Sequence, residues 1–195
     1  MNFLLRMLAF IILLVPSLLV SKAAQSLVDG NNIFLFLLLL IGEFFVAIFF
    51  HELGHAAAAR SFGWRIDLFA VTPIAYRAKT RRFEFWSQFG ADFGGLVVCR
   101  PNPANVTPAR LAFLSFAGPL ASFALAGILL TVSAFSPWEF GRTFFGSAGA
   151  VSFFFGLGNL IPFRTRKGFK SDGMGVIQAF RGKRAKQRPF TAPVI

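Results

Sequence analysis

The chain of 195 residues contains two histidines, and they stand four residues apart in His51-Glu52-Leu53-Gly54-His55. An α-helix puts residues i and i+4 on one face, so both imidazoles can reach one metal ion. Glu52 projects about 100° around the same helix, where it can hold or deprotonate a water beside the metal. The spacing is the HExxH pattern, in which one helical turn delivers two zinc ligands and a base. The plain alternative is a pair of helix-packing histidines flanking a chance glutamate. That alternative is weak here, because the motif sits near the end of the apolar run Ile33 to Ala59. Three ionisable groups in lipid carry a cost that function usually justifies.

The composition places the chain in a membrane. Hydrophobic residues make up 55% and charged residues 14%, with 28 Phe, whereas a soluble domain has about a quarter of its residues charged. A net charge of +12 could suggest nucleic acid, but the basic residues fall in blocks between apolar spans. That distribution fits membrane orientation and anionic lipid headgroups, with no nucleic acid as partner. The single cysteine, Cys99, rules out an internal disulfide and zinc sites built on paired cysteines. It reads as an ordinary small apolar residue.

Four elements must position the motif. Met7 to Val20 is apolar but short for a span. It reads as an uncleaved first helix extended by Phe3, Leu4 and Leu5, with a cleaved signal peptide as the alternative. Ile33 to Ala59 is the strongest span. Within it Glu43 lies eight residues before His51, about 12 Å up the axis and too far to share the metal. It reads either as lining a water path or as a glutamate hydrogen-bonded inside the bundle. Leu111 to Phe135 is the third span, in which Gly118, Ser122 and Ala126 form a small-residue stripe for close helix contact. Phe144 to Phe163 is the fourth, broken near its end by Asn159 and Pro162.

Between the second and third spans, Trp64 to Val71 and Arg82 to Trp86 alternate as short strands would. Phe89 to Val98 is apolar enough to lie against the membrane surface. A short surface helix is expected over Gly175 to Phe180, before a basic tail. The fold class is therefore an all-α polytopic membrane protein of about four transmembrane helices, with a small cytoplasmic β-hairpin-like insertion. Its parts are 1–32 (first helix and outer loop), 33–180 (core) and 181–195 (tail). Eight Lys or Arg fall between the second and third spans and nine after Phe163, against Lys22 and Arg142 on the opposite side. The positive-inside rule then puts both termini and the large loop in the cytoplasm of a multi-pass protein, of bacterial inner-membrane type.

A catalytic zinc usually has three protein ligands and an open position. With no further histidine the third ligand is a carboxylate, and the side of the membrane leaves Asp67, Glu84, Asp92 and Asp172. Physical reasoning does not choose among these four. The chain as a whole resembles the site-2 protease family of intramembrane zinc metalloproteases. His51-Glu52-Leu53-Gly54-His55-Ala56 matches the first motif of that family, and Phe116-Ala117-Gly118-Pro119-Leu120-Ala121 resembles its central glycine-proline motif. Asn159-Leu160-Ile161-Pro162 with Ser171-Asp172-Gly173 resembles the third. The resemblance, over about residues 33 to 180, implies Asp172 as the remaining zinc ligand and Asn159 as a helper near the bound substrate. Two departures stand out. Ser122 occupies a position where the family often has Asn, and four cations fill the long stretch between Pro162 and Asp172. Asp172 must fold back to the metal, with Gly168 and Gly173 as candidate pivots.

The function implied is a zinc endopeptidase that cleaves a single-span membrane protein within its transmembrane segment. A catalytically inactive scaffold that keeps the fold is the alternative from another class. A channel or metal transporter fits less well, because acidic and His residues are not spread over several spans.

Overall fold

A computed structural model describes residues 33–85, 94–164 and 170–181. The expected first helix, Asp92, Gly168 and nearly all of the basic tail lie outside these residues. The described chain is mostly helical. It runs α1 (Ile33–Ser61), β1 (Arg65–Val71), β2 (Ile74–Arg77), β3 (Arg82–Phe85), β4 (Gly95–Arg100), α2 (Pro108–Phe135), α3 (Glu139–Leu160) and α4 (Asp172–Phe180). Among the described residues three helices are long and apolar enough to cross a membrane: Leu37–Ser61, Pro108–Phe135 and Glu139–Leu160. They correspond to the second, third and fourth expected spans.

The described residues form two compact units, one of residues 33–47 with 122–158 and the other of 48–121 with 159–181. In the first, the usual sorting of side chains is inverted. Ala47, Ser122, Ala126, Ser147, Ala148, Val151 and Ser152 are buried, while Phe34, Leu38, Ile41, Ile128 and Phe135 point outward. Small residues let helices approach and large apolar ones meet lipid, which is how membrane helices pack. Gly149 lies under the Leu130 side chain, and Ser152 donates to the Ser122 carbonyl at 2.9 Å. Glu43 is buried here, with its Oε1 hydrogen-bonded to the Ser147 hydroxyl at 2.6 Å. Of the two readings of Glu43, this geometry matches a glutamate bonded inside the helix packing.

The second unit begins where α1 stops. Gly63, at φ +72°, turns the chain into the left-handed region. Its N–H bonds the Arg60 carbonyl at 2.9 Å and the next N–H, from Trp64, reaches Ala59, also at 2.9 Å. This pair of bonds closes the open carbonyls of the last turn, and glycine suits that conformation because it has no Cβ. Trp64 then buries against Ala58, Ala59, Cys99, Leu114 and Ala117, with its indole N–H on Asn105 Oδ1 at 2.6 Å. Cys99 is the small core residue expected, and burial pushes its thiol up to about 11.

The insertion is larger than a hairpin. It is a four-stranded antiparallel sheet in the order β3-β2-β1-β4. β1 and β3 fall where alternation placed them. β2 was missed because a two-residue turn, Thr72-Pro73, separates it from β1, which leaves too few residues for a period to register. β4 takes the end of the stretch expected on the membrane surface. Its run of Leu96, Val97 and Val98 has no alternation because it is partly buried throughout, and Leu96 and Val98 pack on Leu68, Ala70 and Ala75.

Candidate metal centre

Residues of the first, central and last parts of the second unit meet at one point. His51 and His55, a turn apart on α1, carry their Nε2 atoms 3.3 Å from each other. Asp172 closes the triangle, with Oδ2 2.9 Å from His51 Nε2 and Oδ1 3.3 Å from His55 Nε2. Three donor atoms thus lie within 4.8 Å of one another. An ion bonded tetrahedrally at about 2.0–2.1 Å holds its donors roughly 3.3 Å apart, so the spacing suits zinc, and two imidazoles with a carboxylate are a zinc-type donor set. Burial alone would raise the Asp172 carboxyl, but hydrogen bonds and charge from His51 and His55 outweigh it and hold it below the usual carboxylate range.

The surroundings fix the imidazoles. His55 donates from Nδ1 to the Leu114 carbonyl at 2.7 Å, which leaves the Nε2 lone pair for a metal and sets the ring plane. Gly118, next to Pro119 on α2, lies where any Cβ would overlap His55 Nε2. The sequence reads the glycine of the central motif as a helix-packing residue; here it makes room for the His51 and His55 imidazoles. At Gly54, inside the first motif, a Cβ would likewise collide with the Ala117 carbonyl and with Ala121, so α1 and α2 pack closely there.

Asp172 is positioned by contacts between the residues just before it and the chain just after α3. Phe163 and Ser171 exchange backbone and side-chain bonds of 3.0 and 3.1 Å, and Arg164 bridges Lys170 in antiparallel fashion. Ser171 also caps α4 by accepting from the Met174 N–H at 3.3 Å. Asp172 takes the first helical position, where a carboxylate also suits the helix dipole. Gly173 is not a pivot. It sits in helix against the Leu160 carbonyl, and a side chain there would collide with it.

Residues 35–145, more than half of the chain, match the model of peptidase family M50. The chain belongs to this family, the site-2 protease family. Membership in M50 implies a metalloprotease, for which zinc is the usual ion. No curated protein and no solved structure matches the chain. The M50 match covers the first and central motifs and ends before Asn159 and Asp172.

The other candidates separate cleanly. Asp67 accepts from Arg100 at 2.9 Å and Glu84 from Arg77 at 2.7 Å, so both acids are engaged on the sheet. Asn159 is half-buried on the last turn of α3, beside the Leu160 that receives Gly173. Glu52 is buried, and β4 crosses it so closely at Gly95 that a Cβ there would strike its Cγ. Sequence reasoning missed Gly95 and the Leu114 carbonyl. A backbone acceptor leaves no mark in a sequence, and a glycine opening a strand reads as turn punctuation.

Proposed function

We propose that this M50 chain is an intramembrane zinc endopeptidase that cleaves the transmembrane segment of a single-span protein near the cytoplasmic side. The observation that carries the reading is the meeting of three donors, His51, His55 and Asp172, within 4.8 Å, with Glu52 on the adjoining face of the same helix. His51, His55 and Asp172 would hold the zinc, which when bound supplies a Lewis acid and brings the pKa of a coordinated water toward about 7.

The chain's own groups do the rest. Leu114 and Gly118 hold His55 in one tautomer and one orientation. Glu52, walled by β4 from bulk solvent, takes the proton of the attacking water and returns it to the leaving amine. A helical substrate hides its carbonyls in its own hydrogen bonds, so it must unwind locally before attack. β4 is an edge strand of the sheet among the described residues, and an extended segment laid along it would run past Glu52. Asn159 is assigned a helper role near the bound substrate on the strength of the family motif.

The test is cleavage of a single-span substrate by purified protein in bilayers, with zinc measured in the same sample. Cleavage that is lost on chelation and restored by zinc is expected. Stoichiometric zinc with no turnover on any membrane substrate would favour the inactive scaffold instead.

A further inference from the structure

Away from the metal centre, Arg60, Arg65, Lys79 and Arg100 frame an open cleft of about 570 Å³ whose lining includes one acid, Asp67. Asp67 is already paired with Arg100. It is the bulge residue of β1, left without a partner where the register steps from Ile66 to Leu68, and this lets it lean to Arg100. Arg65 stands directly opposite Arg100 across the β1–β4 ladder. Like charges facing each other on a sheet are destabilising, and one carboxylate between two guanidiniums leaves an unbalanced charge.

The helix end does not absorb it. The carbonyls of Ala58, Ala59 and Arg60 are taken by Phe62, Trp64 and Gly63, so the last turn of α1 offers the cations little to bond. Arg60 lies one residue before the end of the apolar span Leu37–Ser61, the depth at which lipid phosphates sit. Guanidinium forks match phosphate oxygens two at a time, and a lysine adds a mobile point charge.

We propose that this cleft is a binding site for a phosphate-bearing anion, with Arg60, Arg65 and Lys79, none ion-paired among the described residues, as its cations and the Asp67–Arg100 pair as its wall. Its place at the end of a span makes an anionic phospholipid headgroup the favoured source, and a soluble phosphate the other. The inference does not depend on the protease reading.

The test uses the full-length protein in detergent micelles, titrated with phosphatidylglycerol, phosphatidylcholine or inorganic phosphate and read by native mass spectrometry. Each headgroup-level cation is worth about fivefold in affinity. Arg65→Gln with Lys79→Gln should therefore weaken phosphatidylglycerol binding roughly 25-fold, and Lys79→Gln alone about fivefold. Arg81→Gln with Arg82→Gln removes the same charge outside the cleft and should change it little. Binding of inorganic phosphate alone, with the same dependence on Arg65 and Lys79, would keep the site and assign it a soluble ligand. Equal losses in both double variants would overturn the proposal, as would absence of any preference for phosphatidylglycerol over phosphatidylcholine together with no phosphate bound.

Discussion

Two buried acids on one helix, Glu43 and Glu52, meet very different company. Glu52 belongs to a cluster of four ionisable groups, with His51 and His55 on α1 and Asp172 on α4. Among the described residues Glu43 has a single polar partner, Ser147, and its Oε2 has none. The other buried polar side chains of its unit, among the described residues, are the hydroxyls of Ser122, Ser147 and Ser152. An acid among ligands and a strand edge is equipped for proton transfer in a reaction; an acid with one hydroxyl is equipped to join two helices. The comparison teaches that intramembrane charge is informative through its partners, since both positions look equally costly when taken singly.

The widest separation of the two acids should come from activity. Glu52→Gln keeps volume and hydrogen bonding but cannot accept a proton. Cleavage should fall about 10²–10⁴-fold, with zinc content unchanged. Glu43→Gln, assayed on the same membrane substrate, should stay within about threefold of the parent, since an ordinary amide replaces an ordinary hydrogen bond. A Glu52→Gln protein that holds zinc and cleaves normally would remove the proposed base.

Zinc content sharpens the contrast among carboxylates. Asp172→Ala should deplete bound zinc as far as His55→Ala does, because each takes one of three donors. Asp67→Ala and Glu84→Ala should leave it intact, since both acids are held by arginines on the sheet. Zinc retained in Asp172→Ala and lost in either of the others would reassign the third ligand.

Glycines extend the comparison to α2. Gly118→Ala places a methyl on His55 Nε2 and should cost about 1–3 kcal/mol through overpacking, along with weaker zinc binding. Gly127, nine residues on in the other unit, has nothing within 4 Å of where its Cβ would be. Gly127→Ala should be neutral or stabilising by about 0.5–1 kcal/mol. Melting of the two variants in the same detergent, with zinc measured, decides whether the central motif serves the ligands or merely the helices.

How far the sequence could carry these arguments differs between the two units. His51, Glu52 and His55 announce themselves because helical spacing and ligand chemistry coincide within five residues. The spans are legible as well, since their length and apolar run are local properties. Asp172 is not legible from spacing, because its approach depends on the Phe163–Ser171 clasp, in which the Phe163 backbone bonds the backbone and hydroxyl of a residue eight positions on. The sheet was half legible: β1 alternates, while β4 is apolar on both faces and β2 is too short. Gly118 shows a further limit. A small residue on a helix reads as close packing, and only the fold tells whether a helix or an imidazole fills the space.

The smallest expected effect concerns how Glu43 is held. Ser147 Oγ lies 2.6 Å from Glu43 Oε1 and 2.8 Å from the carbonyl of Phe144. One hydroxyl proton serves one of these oxygens well. If it goes to Phe144, as serines on helices commonly arrange, the short contact to Glu43 needs a proton from the carboxyl itself. Glu43 is then a neutral acid donating to Ser147, which also suits burial in an apolar span. Gln can donate in the same way, so Glu43→Gln should shift stability by less than about 1 kcal/mol, whereas Glu43→Ala leaves a cavity and an unpaired hydroxyl and should cost about 2–3 kcal/mol. Infrared spectra of the membrane-embedded protein offer the direct check. A protonated-carboxyl C=O band should be present at neutral pH and vanish in Glu43→Gln. Its absence from the parent protein would mean that an ionised Glu43 is sustained by a single hydroxyl, and the distinction between a linking acid and a reacting one would have to be drawn elsewhere.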